Sequence, residues 1–292
     1  MSWDFPDQVS IRDVGPRDGL QPEAPLPVDE RIALVDALAG AGLRDIEAVA
    51  FVSPRAVPAM AGAAEVMAGI ERVDDVRYWA LVPNVRGAEL AVEADVDALT
   101  VTVSASETYS QANTHRSVED ALAQIPAIVD VAGERPVDTV VSCAFGSPYD
   151  GRIGPIDVAA IVDRVVEAGS TFVTLADTTG IATPERIADV VTAAGPDVRL
   201  HLHDTRGTAL TNAFAALLLG VTAFDTATGG LGGSPFAKGA GGNLATEDLV
   251  HLLDGLGVDT GADLDALVSL AGRFADAVGH PVPSRVTATL GE

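Results

Sequence analysis

The 292-residue sequence contains one cysteine, one lysine and 4% aromatic residues, and it has no apolar run long enough to cross a bilayer. Each shortage excludes something. The single Cys143 rules out an internal disulfide framework and a cysteine-rich metal site. Without about 18 consecutive apolar residues there is no candidate membrane-spanning helix. Positive charge is scarce too: 18 basic side chains stand against 42 acidic ones, a formal net charge of −24. Such a chain lacks the basic face that nucleic acid or an anionic membrane surface requires, so neither is an expected partner. A small anionic ligand is still allowed where the site itself is locally positive. The first residues carry neither the basic stretch nor the apolar stretch of a secretory signal, and the expectation is a soluble, cytoplasmic protein. The one lysine, Lys238, lies inside a run holding seven glycines between residues 229 and 242.

What the chain does have is 48% hydrophobic residues, enough for a large core. Short β-branched runs begin near Val9, Asp45, Arg77, Ala98, Asp138, Thr171, Val198 and Ala223. Helical patterns follow them over 28–41, 57–70, 85–93, 118–131, 156–168, 184–194, 208–219 and 247–256, with one more over 264–278. Eight strand-then-helix units predict a (β/α)8 TIM barrel, with a C-terminal helical extension and a Gly-rich lid loop after the eighth strand. Runs 139–144 and 171–176 are nearly continuous in apolar or small residues, as parallel strands buried on both faces require. A doubly wound open sheet is the rival, because alternation alone does not close a sheet. No linker or low-complexity stretch interrupts the pattern, so residues 1–292 are read as a single catalytic domain. In a barrel, functional residues belong where strands end and βα loops begin.

Several motifs meet that condition. In His201-Leu202-His203-Asp204, residues i and i+2 of a strand point to one side, so two imidazoles can ligate one divalent metal or hydrogen-bond each other. Gly15-Pro16-Arg17-Asp18-Gly19-Leu20-Gln21 closes the first strand; it is either a surface turn with a weak ion pair or part of a site shared with the histidines. The run from Gly229 to Asp248 reads as a mobile lid or an anion cradle. It lacks the Gly-Lys-Ser/Thr ending of a phosphate-binding P-loop. Within it, Asn243 either caps the next helix or offers an amide oxygen to a metal. Glu47 is an acid among apolar neighbours, paired with Arg17 if buried. Asp177 and Thr178 end the sixth strand, where they cap a turn or touch ligand. Cys143, placed inside the fifth strand, reads as a core residue. His115, His251 and His280 fit no pattern.

Four of these segments together resemble the 3-hydroxy-3-methylglutaryl-CoA lyase family of the DRE-TIM metallolyases: residues 15–21, Phe51-Val52-Ser53-Pro54, His201-Leu202-His203-Asp204-Thr205 and residues 230–248. The resemblance runs from Val9 to about Arg285. It implies cleavage of 3-hydroxy-3-methylglutaryl-CoA to acetyl-CoA and acetoacetate by retro-Claisen chemistry. It implies Mg²⁺ or Mn²⁺ held by Asp18, His201, His203 and Asn243. It makes Asp18 or His201 the base for the tertiary alcohol, with Arg17 stabilising the enolate and Glu47 orienting Arg17. Gln21, Asn113 and Asp177 would line the site, and a homodimer is implied. One position departs from the family: Ser234 stands where the loop usually carries a cysteine active in proton transfer. A hydroxyl is a far weaker acid than a thiol of pKa about 8.5, so Ser234 is read as holding a water or relaying a proton. Ala50 and Asp13 also differ from the usual serine and glutamate. Two alternatives follow: a lyase of the same mechanism for another acyl-CoA, or a weakly active acyl-CoA-binding homologue. Because CoA is polyanionic, Arg17, Lys238, Arg285 and the metal are expected to supply the positive field.

Overall fold

The computed structural model describes residues 5–233 and 242–291. Eight parallel strands close into a barrel in sequence order: β1 (Ser10–Asp13), β2 (Asp45–Ala50), β3 (Arg77–Leu81), β4 (Ala98–Ser104), β5 (Val137–Ser142), β6 (Phe172–Asp177), β7 (Arg199–Leu202) and β8 (Ala223–Thr226). Closure is a register fact. β1 pairs with β8 from Ser10↔Ala223 to Asp13↔Thr226 and with β2 through Arg12↔Asp45. The open doubly wound sheet is thereby excluded.

Helices α1 (Val28–Gly40), α2 (Ala63–Gly69), α3 (Val85–Glu93), α4 (Glu107–Thr114), α5 (Val118–Leu122), α6 (Ile125–Ala132), α7 (Pro155–Glu167), α8 (Pro184–Ala194), α9 (Ala209–Leu217) and α10 (Thr246–Leu256) surround the strands. α11 (Leu264–Val278) forms the expected C-terminal extension, and α12 (Arg285–Leu290), which the sequence did not announce, follows it. The packed faces follow the helical period. Val158, Val162 and Val165 of α7 and Ile187, Val190 and Val191 of α8 are buried against the sheet. Each such side chain contributes about 1.5–3 kcal/mol on burial.

Two expected helices are divided. The pattern over 57–70 breaks at Gly62, whose φ of 77° no helix accepts. The pattern over 118–131 breaks between α5 and α6, because Pro126 has no N–H to donate to the preceding turn. α4 has no apolar period to announce it; Ser106 starts it by accepting the Tyr109 N–H at 3.0 Å. The acids opening α10 serve distant partners. Glu247 accepts from Gly229 N at 3.1 Å and Thr287 Oγ1 at 2.8 Å. Asp248 accepts from Ser284 Oγ at 3.0 Å and Val286 N at 2.8 Å. Together they tie the start of the Gly-rich segment and α12 to the barrel.

The barrel interior is unusually polar. Arg12 is fully buried and gives Nε and Nη2 to Asp225 at 2.9 and 2.8 Å, while Nη2 lies 2.7 Å from Asp138 Oδ2. Trp79 packs 4.8 Å from the guanidinium. Removing one partner from a buried pair of this kind costs about 3–5 kcal/mol.

Candidate active site

The site is built at the carboxyl ends of β1, β7 and β8. After β1 the chain makes a π-helical turn over Gly15–Gly19, which carries Arg17 and Asp18 inward. Asp13 shapes this turn, accepting from Gly15 N at 2.7 Å and, across the barrel seam, from Thr228 N at 2.9 Å and Thr246 Oγ1 at 2.6 Å. Arg17 donates Nε to Glu47 Oε2 and Nη1 to Asp18 Oδ1, the latter at 2.5 Å. Glu47 is fully buried, so the inward pairing holds and an outward Glu47 is excluded. Burial opposes the charge on Arg17, but Glu47 and Asp18 outweigh it and raise its pKa. Burial also opposes the Asp18 carboxylate; Arg17, His201, His203 and the Asn243 amide overcome it and hold Asp18 at about 2.

His201 and His203 face each other as their strand spacing predicts, with Nε2 atoms 3.2 Å apart. Their other nitrogens are engaged: His203 Nδ1 donates to the Thr178 carbonyl at 2.9 Å, and His201 Nδ1 lies 3.3 Å from Asp225 Oδ2. These partners fix the tautomers and turn both Nε2 lone pairs to one point. At that distance the two nitrogens share either a proton, as a hydrogen bond, or a cation between their lone pairs. Burial and the neighbouring His201 bring His203 down to about 4. Burial would lower His201 as well, but Asp225 and Asp18 raise it.

Asp18 completes the cluster, its Oδ2 3.9 Å from His201 Nε2. Ligand atoms of Asp18, His201 and His203 all lie within 4.8 Å of one another. Asn243 does not cap α10. Its Nδ2 donates to Asp18 Oδ2 and to the Leu231 carbonyl, both at 2.9 Å, and its buried Oδ1 has no hydrogen-bond partner. That orphaned oxygen, with two imidazole lone pairs and a carboxylate, suits a divalent cation. Gly232 makes the close approach possible. Its φ is 116°, and a Cβ there would press into the Asn243 amide.

The cluster opens into a cavity of about 530 Å³. Arg17, Asp18, Gln21, Thr178, His201 and His203 line it, as does Asn113 from α4. Asp177 is not among its lining residues. Its oxygens accept from Ile181 N and Ala182 N, both at 3.0 Å, the loop-capping use the sequence also allowed. Arg285 is not among the lining residues either; its Nη2 lies 3.5 Å from Asp204 Oδ2. Cys143 sits just past β5 rather than within it, at φ 59°, fully buried; burial pushes its thiol up to about 12. Ser234 and Lys238 fall outside the described residues.

Two features escaped the sequence reading. Asp225 behind His201 is an acid in a strand with no local motif. Arg116, on the loop between α4 and α5, lines the cavity, and only its position three residues after Asn113 hinted at that.

Comparison with known proteins agrees with this geometry. Residues 8–273 match the model of the HMGL-like family. A Pseudomonas aeruginosa protein named 3-hydroxy-3-isohexenylglutaryl-CoA/hydroxy-methylglutaryl-CoA lyase is 43% identical over 98% of both chains. The crystal structure of hydroxymethylglutaryl-CoA lyase from Pseudomonas aeruginosa superposes with a TM-score of 0.95 at 41% identity, covering 98% of each chain. An HMG-CoA lyase from Acinetobacter baumannii, solved in complex with coenzyme A and 3-methylmalate, gives 0.92 at 40% identity, covering 97% of this chain and 95% of that one. By motif, by barrel and by these matches, the chain belongs to the HMGL-like family.

Proposed function

We propose that the protein is a divalent-metal-dependent carbon–carbon lyase that cleaves (S)-3-hydroxy-3-methylglutaryl-CoA to acetyl-CoA and acetoacetate. The observation that carries the reading is the cluster of Asp18, His201 and His203 ligand atoms at the wall of a cavity, with the Asn243 amide bonded to Asp18 beside it. Asp18, His201, His203 and Asn243 would hold Mg²⁺ or Mn²⁺, which when bound acidifies the substrate's tertiary hydroxyl.

Asp18 would take the hydroxyl proton, because His201 has both ring nitrogens engaged, Nε2 toward the metal site and Nδ1 toward Asp225. The C2–C3 bond then breaks. The oxygen's electron pair forms the ketone of acetoacetate, and the bonding pair passes to C2 as the thioester enolate. Arg17 is held rigid by Glu47 and Asp18 through Nε and Nη1, while Nη2 has no partner among the described residues. That nitrogen is the donor for the enolate charge. A proton delivered to C2 completes acetyl-CoA, with Ser234 holding a water or relaying the proton.

A second reading has one specific support. Leu81, Val101, Ile128 and Val140 give the cavity an apolar wall, and the Pseudomonas aeruginosa relative's name includes an isohexenyl substrate. On that reading the preferred thioester carries a C3 branch larger than methyl. We also propose that residues 1–292 act as one catalytic domain, and, from the family resemblance, that the chain is a homodimer working in the cytoplasm. Sedimentation and cell fractionation test the last two.

The deciding experiment presents a panel of 3-hydroxy-3-alkylglutaryl-CoA thioesters with Mg²⁺ or Mn²⁺ and identifies the products. Acetoacetate from the methyl compound supports the first reading, and faster cleavage of longer branches supports the second. Cleavage of none would leave a binding protein and sink the lyase reading.

A further inference from the structure

Among the described residues that line the cavity, the cations other than histidine are Arg17 and Arg116. Arg17 is neutralised by Glu47 and Asp18. Arg116 makes no ion pair with a described residue, and it lines the cavity from the loop between α4 and α5, with Asn84 and Thr114 also in the lining. It is therefore the one lining arginine without an acidic partner, in a chain of net charge −24. For a polyanionic ligand such a group offsets long-range repulsion where contact is made.

The guanidinium is held in place. Nη1 donates to the Pro83 carbonyl and to Gln124 Oε1, both at 3.0 Å. Gln124 is itself fixed, giving Nε2 to the Asp120 carbonyl at 3.2 Å. The backbone around Arg116 is pinned as well. His115 ends α4 with a φ of 56°, and Ser117 starts α5 by accepting the Asp120 N–H at 3.0 Å. Both anchoring bonds use the same nitrogen. Nε and Nη2, the parallel donors of the side-on fork, are left without a partner among the described residues. That fork matches two oxygens of a carboxylate or phosphate, and holding it ready lowers the ordering cost of binding.

We propose that Arg116 is a second anion-binding residue of the cavity, taking an oxyanion of the ligand, a CoA phosphate or the acyl carboxylate, on its Nε/Nη2 edge. The proposal rests on the lyase reading for the identity of the ligand, but binding tests it without turnover.

The experiment measures dissociation constants at low ionic strength for wild type, Arg116→Gln and Arg116→Lys. The probes are coenzyme A, pantetheine, and 3-hydroxy-3-methylglutaryl-pantetheine, which keeps the carboxylate and lacks the phosphates. If a phosphate is bound, Arg116→Gln weakens coenzyme A about tenfold and leaves both pantetheine compounds unchanged. If the carboxylate is bound, the acyl-pantetheine weakens about tenfold and coenzyme A does not. In either case Arg116→Lys binds more weakly than wild type because it lacks the fork, and added salt shrinks the difference. Unchanged constants for all three probes, or a lysine variant equal to wild type, would overturn the proposal. Unfolding midpoints of both variants check that the loop is intact. A wild type that binds coenzyme A but cleaves no thioester refutes the lyase reading while leaving the Arg116 result standing.

Discussion

The Nε2 atoms of His201 and His203 lie 3.2 Å apart, each imidazole turned there by a hydrogen-bond partner on its far nitrogen. Such a pair is pre-oriented to present both nitrogens to one cation. Mn²⁺ at about 100 times its dissociation constant should add about 2.7 kcal/mol to stability. A chain of this size should then melt several degrees higher. His203→Ala should abolish that rise in a thermal scan and abolish metal-dependent turnover. An equal rise in the variant would place the ion elsewhere.

Arg17 and Glu47 act as a unit, so their substitutions should look alike. Arg17→Lys removes the planar fork, and Glu47→Gln removes the charge that fixes it. Each should lower kcat by about 10²–10³, the usual cost of a lost transition-state donor, with a smaller change in KM. Steady-state kinetics with metal affinity measured in parallel would show it. Normal kcat in Glu47→Gln would mean that Arg17 needs no support.

Asp225 joins the buried Arg12 to His201, and it is held well below the ordinary carboxylate range because those partners outweigh its burial. A lowered folded pKa means that its stabilisation is present above the unfolded value near 3.9 and lost as pH falls through the lower folded value. Asp225→Asn should cost about 3–5 kcal/mol at pH 7 in urea unfolding. The gap from wild type should narrow in acid. A gap independent of pH would show that charge is not the cause.

Asp177 moves the opposite way. Burial raises it to about 6 despite two backbone N–H donors. Its contribution is therefore greatest below the ordinary value near 3.9 and is lost as pH rises through about 6. The unfolding midpoint of Asp177→Asn relative to wild type should improve between pH 4.5 and 7.5. A flat difference would mean that Asp177 ionises normally.

Cys143 should resist chemistry altogether. It is fully buried and its thiol is pushed up to about 12, so almost no thiolate exists at pH 8. Iodoacetamide should leave native protein unlabelled by mass spectrometry and label it in guanidinium. Rapid native labelling would show that the turn after β5 opens.

Much of this molecule could be read along the chain. Strand starts were legible because β-branched runs separate cleanly from Ala/Leu-rich helices. The helix breaks at Gly62 and before Pro126 were obscured by an apolar period that continues across them. α4 and α12 were invisible because helices of one or two turns have caps but are too short to show a period. Asp177 was ambiguous for a different reason: a strand-end acid serves ligand or loop equally well, and its two backbone donors are visible only in the fold.

Sequence alone determined the β/α alternation, the His201–His203 spacing and the Arg17–Asp18 turn, because strand periodicity and turn chemistry are local. Tertiary structure decided the rest. Barrel closure, set by the β1–β8 register, brings Asp18 and Asn243 within 2.9 Å across 225 residues of chain. The same closure puts Asp225 behind His201, and the loop between α4 and α5 brings Arg116 to the cavity lining. Those relations are long-range hydrogen bonds and burial, which no local pattern of residues encodes.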